Sequence, residues 1–424
     1  MRKKEIKEEI RMKFSKLAFI VLFSIIIGGI VGFLTWGFLA VTSFTTHFLW
    51  DTLPKTLHVK NWTILLCLVG GVLVGLCQKY FGNYPRKMED VLAEFKETKR
   101  VDYRSVHKST LTALCVLSFG ASLGPEAALV GIIGGLSTWA GDTIKSLVKK
   151  KSVLNEYGEI ITEYSIEATI GMIFRAPLFG ATTFFEDKKD SRRIRLIKII
   201  VYSITTVAGF GVFIFLTKMD YRKISLVDFG SAVVGKNEII AIIPLIVIGL
   251  LFALLYEFFG KILHKVFKPL ENYKIIKAVI GGLVLGLIGT ILPTMLFSGE
   301  HQLTELPEEW KDMSIYLLLI SAVLKLFITE FCLASGWRGG HIFPVIFAGA
   351  SLGYGMALLF PIDPVTSVAI VTTSLTSGLM KKPIAAVLIL IILFPIKLVI
   401  PMIVAAYLPI YILKYKNNLT QKSY

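Results

Sequence analysis

Four apolar runs constrain this chain more than any other feature: Leu17 to Leu39, Ile239 to Leu255, Ala278 to Leu296 and Ile384 to Ala406. Each holds enough predominantly apolar residues for a helix to cross a hydrocarbon core of roughly 30 Å. Lipid offers no water to backbone amides, so a spanning segment must bond itself as a helix or pair within a closed barrel. Runs of this length predict helices. With 54% of its 424 residues apolar and a mean hydropathy of +0.69, the chain carries more apolar surface than a soluble core needs. The expected fold is an all-α polytopic membrane protein.

The formal charge of +16 is distributed topologically. Arg2, Lys3, Lys4, Lys7, Arg11, Lys13 and Lys16 precede the first run, and Lys414, Lys416 and Lys422 follow the last. The excess of basic residues at both ends predicts that both termini are cytoplasmic, and it argues against nucleic acid as a partner. The first run continues through Trp36 and Phe38 without a clear small-residue cleavage site, so it reads as a retained span rather than a secretory signal. Cys67, Cys77, Cys115 and Cys332 lie in apolar stretches without CxxC spacing, which points to packing rather than to a disulfide framework or a metal site. No cofactor is expected.

Glycine and proline interrupt the later apolar segments repeatedly, and broken backbone at membrane depth is tolerated only where it lines a cavity or binds something. A cytoplasmic segment 1–14 is followed by a first membrane repeat, 15–221. The polar stretch 222–237 reads as a connector, leading to a second membrane repeat, 238–413, and a tail, 414–424. The repeats are read from order: a glycine-rich segment at 120–135 and a proline segment around Pro177 recur as 336–353 and the segment around Pro383. Discontinuous helices in repeated halves place a transport site at the repeat interface.

Within Ser122 to Gly135 one carboxylate, Glu126, stands among small and apolar residues at the start of an expected helix. An ionisable group in that setting is a functional hypothesis by default, because desolvation penalises its charge and suits it to carrying a proton. A second reading puts Glu126 at a helix N-terminus near water, stabilised by the macrodipole. The context favours a protonatable gate: the same amides would attract an anion, so a carboxylate there competes with that anion. Glu186 and Asp187, beside Lys188 and Lys189, read by themselves as a solvated acidic helix end. His341 reads as a hydrogen-bonded structural residue, and Arg338 as lining an anion entrance. A hydrolase would need a nucleophile with its base or a motif such as HExxH, and none is evident, so the chain is not expected to be an enzyme. A cation carrier using Glu126 or Glu167 fits poorly with helix N-termini that favour anions.

Gly124 to Ala128 resembles the G-K/R-E-G-P motif of the CLC family of chloride channels and proton-coupled chloride transporters. Pro125 stands at the basic position and Ala127-Ala128 replace Gly-Pro. Phe174 to Gly180, followed by an apolar run and the acids Glu186 and Asp187, is similar to the family's F-N-A-P-L-A-G segment. Ser335 to Pro344 resembles its S-G-x-x-G-G-x-F-x-P motif, with Gly340 and Pro344 at matching positions. The family's G-S-G-I-P is represented by Phe81-Gly-Asn-Tyr-Pro85, where either Gly82 or Asn83 takes the serine position, and Asn83 is preferred because its amide can donate to an anion.

The resemblance implies an inverted-repeat fold with many tilted and discontinuous helices, and a homodimer in which each subunit has its own anion pathway. It makes Glu126 the gate, with Asp187 as the inner proton-transfer residue and Glu186 beside it. The anion would lie among Asn83 or Gly82, Gly340, and the amides of Ile342 and Phe343. The expected function is chloride/proton exchange, with a passive chloride channel or a fluoride-preferring transporter as alternatives. The partners implied are chloride, protons and membrane lipid. Tyr407, Tyr411 and Tyr424 fit the family's C-terminal tyrosine poorly, and the short termini suggest a prokaryotic plasma membrane.

Overall fold

The computed structural model describes residues 2–147, 192–219, 227 and 229–422. Among these the chain is helical, and the only β-type pairing is one isolated antiparallel bridge between Gly124 and Gly340. The helices are α1 (Arg2–His47), α2 (Leu53–Leu57), α3 (Trp62–Phe81), α4 (Met88–Thr98), α5 (Val106–Ser118), α6 (Glu126–Leu147) and α7 (Arg192–Met219). They continue with α8 (Lys236–Phe267), α9 (Lys274–Ile291), α10 (Gln302–Glu309), α11 (Ile315–Ala334), α12 (Ile342–Leu359), α13 (Pro364–Met380), α14 (Pro383–Leu390) and α15 (Val399–Lys422). Eight segments among the described residues are long and apolar enough to cross a membrane.

Two of the four apolar runs lie inside single helices, α1 and α8. The other two are broken. The run from Ala278 stops at Leu292, where Pro293 opens a short 3-10 turn, and the run from Ile384 divides into α14, a turn around Pro395 and α15. Proline lacks the N–H a continuing helix requires, which accounts for both breaks.

The chain divides into two compact units. One comprises residues 1–41, 88–109 and 129–224. There α1 meets α7 through glycines: a Cβ on Gly28 would strike the Thr205 carbonyl, and one on Gly32 the Gly209 carbonyl. On α4, Met88, Val91 and Phe95 form one buried stripe at helical spacing. Arg100 pairs with Asp142, and the Val101 amide donates to Thr138 Oγ1 at 3.1 Å.

The other unit comprises residues 42–87, 110–128 and 225–424 and contains Glu126. Its closest crossing is α3 on α9. A Cβ on Gly71 would come within 2.8 Å of Val279 Cα, one on Gly75 within 2.6 Å of Ile275 Cα, and one on Gly286 within 2.8 Å of Ile64 Cα. Lipid supplies no hydrophobic drive between helices, so small residues that let backbones touch are what hold such a pair. Trp337, fully buried, donates its indole N–H to the Ala278 carbonyl at 3.0 Å. Hydroxyls of α13 serve the same purpose elsewhere: Ser367, Ser374 and Ser377 donate to the carbonyls of Gly353, Ile246 and Ala406 at 2.6–2.7 Å. Glu238 ties two helix starts together, accepting from the Gly235 amide at 2.8 Å and the Asp363 amide at 3.0 Å.

Gly71→Val should force α3 from α9 and cost about 1–3 kcal/mol, the usual range for overpacking. Gly37→Ala, with no atom within 4 Å of the added carbon, should be neutral. Thermal melting in detergent checks both, and a Gly71→Val protein melting like the parent would show that the close crossing contributes little.

Candidate functional site

The chain leaves α5 at Ser118 and does not resume a helix until Glu126, and it leaves α11 at Ala334 and resumes at Ile342. These two breaks meet. The Gly124 amide donates to the Gly340 carbonyl at 2.7 Å, and the Gly340 amide returns the bond to Gly124 at 2.8 Å. Each satisfies backbone groups that have no helical partner. Both positions require glycine for a further reason: a Cβ on either would run into the Glu126 carboxyl group.

Glu126 is the first residue of α6 and is fully buried, at 0% exposure. Its Oε1 accepts the Phe343 amide at 2.9 Å, and the amides of Ile342 and of Glu126 itself also lie within its reach. The first amides of a helix have no internal acceptor, and His341, at the α12 N-cap, provides no side-chain cap. The Glu126 carboxyl therefore takes the place where an anion would sit at the start of α12. Its Oε2 is buried and has no hydrogen bond among the described residues.

The structure thus brings together Glu126, Gly340, Ile342 and Phe343. Ile342 is buried and Phe343 partly so. Gly82 and Asn83 follow the end of α3, Gly82 with φ +89° and Asn83 exposed, outside that buried group. Glu186 and Asp187 lie outside the described residues. Arg338 and His341 are partly buried in the loop before α12, and the His341 ring packs 5.8 Å from that of Tyr256.

Residues not singled out from sequence shape the same site. Lys325, on α11, is fully buried. Its ammonium donates to the carbonyls of Thr294 at 3.0 Å and Phe297 at 2.8 Å, with Met295 and Leu296 at 3.4 and 3.3 Å, and it stands 5.2 Å over the Phe347 ring. The loop it gathers is joined to the Glu126 loop, because the Phe297 amide donates to the Gly120 carbonyl at 3.0 Å. Trp50 wedges against both, its ring 5.2 Å from Phe297 and its N–H on the Ser118 carbonyl at 2.9 Å. One turn beyond Lys325, Thr329 meets Ser122 at 3.3 Å. Glu300, on the gathered loop, lies within electrostatic reach of Glu126. A single lysine inside the apolar run 315–334 was the available signal.

Helical spans, two opposed helix starts and a buried carboxyl in an anion's place define the class: a polytopic membrane protein for anion transport. Residues 70–414 match the family described as voltage gated chloride channel, and the chain belongs to this CLC family. It is similar to proteins named for ion transport, YfeO of Salmonella newport (strain SL254) and of Salmonella agona (strain SL483). Each is 27% identical over 328 residues, 74% of either chain. Among solved structures, a CLC-type fluoride/proton antiporter aligns with a TM-score of 0.68 at 20% identity, covering 93% of this chain and 95% of its own. A slow cyanobacterial Cl⁻/H⁺ antiporter aligns at 0.69 and 18%, covering 92% and 93%. At these identities the likeness concerns the fold.

Lys325→Met should leave the carbonyls of 294–297 without their buried donor and cost about 1–3 kcal/mol or more, the penalty of unsatisfied buried polar groups. A lowered melting temperature in detergent is the expected outcome. An unchanged one would show that the loop is held without the ammonium.

Proposed function

We propose that this chain exchanges chloride for protons across the plasma membrane, with Glu126 as the protonatable gate. The observation that carries the reading is the bond from the Phe343 amide to Glu126 Oε1, which puts a carboxyl group on the amides an anion would use. Negative and deprotonated, Glu126 fills that position. Once protonated it no longer competes as an anion, and chloride can take the amides of Ile342 and Phe343. Oε2, without a hydrogen bond among the described residues, offers the proton a place at the same buried position. Proton and anion then use one position alternately, which is the requirement for exchange.

Asp187, with Glu186 beside it, is the inner proton-transfer residue in this reading, and Asn83 or Gly82 completes the anion's surroundings together with Gly340. The two repeats, 15–221 and 238–413, are inverted about the connector 222–237. The chain works as a homodimer in a lipid bilayer with both termini cytoplasmic, and it is a transporter rather than an enzyme. A second reading, fluoride/proton exchange, is favoured by Asn83, since an asparagine at that position resembles the family's fluoride-transporting branch.

Chloride efflux from proteoliposomes, with external pH recorded and voltage clamped by valinomycin and potassium, tests the proposal. Wild-type efflux should drive proton uptake and should quicken as external pH falls. Glu126→Gln should abolish the proton movement, keep the anion movement and flatten the pH dependence. Chloride efflux without linked proton uptake would make the protein a passive channel, and fluoride efflux far exceeding chloride efflux would select the second reading.

A further inference from the structure

Another buried carboxylate, Glu330, lies on α11 with only 8% of its surface exposed. It is absent from every motif considered above. Its carboxyl packs on α8, where Gly260 leaves the space it occupies: a Cβ there would come within 3.0 Å of Glu330 Oε2. One helical turn earlier on α8, on the same face, the Tyr256 side chain lies within electrostatic reach of that carboxyl. Lys87, from the segment after α3, also lies within electrostatic reach of Glu330, so among the described residues the titratable groups that act on it are Tyr256 and Lys87.

Both ends of this pair lead somewhere. On one side Lys87 is exposed and belongs to a charged group with His264, Lys277, Arg338 and Glu271, in which His264 is exposed too. On the other side the Tyr256 ring lies 5.8 Å from the His341 ring, tilted by 34°. His341 is the N-cap of α12, and Phe343, two residues on, holds Glu126. Ionisable residues within a span are costly and mark ion pathways and proton relays. A carboxyl, a phenol and an imidazole in succession are groups that can each hold or pass a proton.

We propose that Glu330 and Tyr256 form an inner proton-transfer pair, which takes protons from the exposed group at Lys87 and His264 and delivers them past His341 to Glu126. In each cycle the Glu330 carboxylate accepts a proton from hydronium arriving through the charged group, which leaves as water. The protonated carboxyl then gives that proton to the Tyr256 oxygen as the phenol gives its own to the His341 imidazole, which in turn gives up a proton to Glu126; Glu330 is again a carboxylate, and Tyr256 and His341 are again neutral. The inference rests on the exchange reading and gives this chain an inner carboxylate among its described residues, in addition to the one proposed at Asp187, which lies outside them.

The test uses the full chain in proteoliposomes, measuring chloride and proton fluxes together for wild type, Glu330→Gln, Tyr256→Phe, Glu330→Asp and Asp187→Asn. Glu330→Gln and Tyr256→Phe should each lower proton flux by roughly tenfold or more while chloride flux continues, and Glu330→Asp should restore part of the coupling. Unchanged proton-to-chloride ratios in Glu330→Gln and Tyr256→Phe, with coupling lost in Asp187→Asn, would overturn the inference and leave the exchange reading standing. Loss of both fluxes in Glu330→Gln and Tyr256→Phe would make the pair structural and overturn it too. A wild type that moves chloride without protons would instead overturn the exchange reading, and this inference with it.

Discussion

The pair of backbone bonds between Gly124 and Gly340 is the constraint on which the site depends. A chain that interrupts its helices inside a membrane protein must find partners for the amides and carbonyls it releases. Here two interruptions, more than two hundred residues apart in sequence, satisfy each other. Their pairing brings the start of α6 to the start of α12, and two helix starts then share one small volume. Positive potential from both makes a negative group welcome there. Glu126 is that group. The glycines follow from the same geometry, since any side chain at either position would take the carboxyl's place.

Such a pairing would be soft if the loops were free to move, and Lys325 prevents that. A buried ammonium is costly unless its protons are all used, and the carbonyls of 294–297 use them. The carbonyls are those of backbone that left α9 at a proline and has no helical donors. Two costs therefore offset each other. Because the gathered loop bonds to Gly120 and Trp50 packs against both, the clamp extends to the segment leading into Glu126.

Much of this was legible in the sequence because the relevant signals are local. A carboxylate among glycines in an apolar setting has few meanings, and the Gly340 to Phe343 segment carries its own motif. The α-helical class followed from the length of the apolar runs alone. What escaped was non-local. Nothing in Ile315 to Ala334 says that Lys325 will meet the carbonyls after α9, or that Glu330 will face Gly260 and Tyr256, since those partners come from other helices. Composition also hid the break in 384–406: the run stays apolar through Pro395, and hydropathy does not register a missing amide hydrogen. Asn83 was placed by its neighbours in sequence, and the structure leaves it exposed.

The gate proposed for Glu126 requires that its closed state be held weakly. A hydrogen bond to a charged group contributes about 1.5–3 kcal/mol, so the Phe343 amide alone favours the carboxylate over an empty site by roughly ten- to a hundredfold or more. In the proposed reading a chloride ion offered the same amides gains in the same way, so that Glu126 would be displaced by anion concentration or released by one proton. A carboxylate with both oxygens fully bonded would be harder to move. In this chain Oε2 packs against two glycines and lacks a hydrogen bond among the described residues. The incomplete satisfaction of Glu126 is thus the physical condition for the release proposed for it, while the full satisfaction of Lys325 would hold the surrounding frame in place.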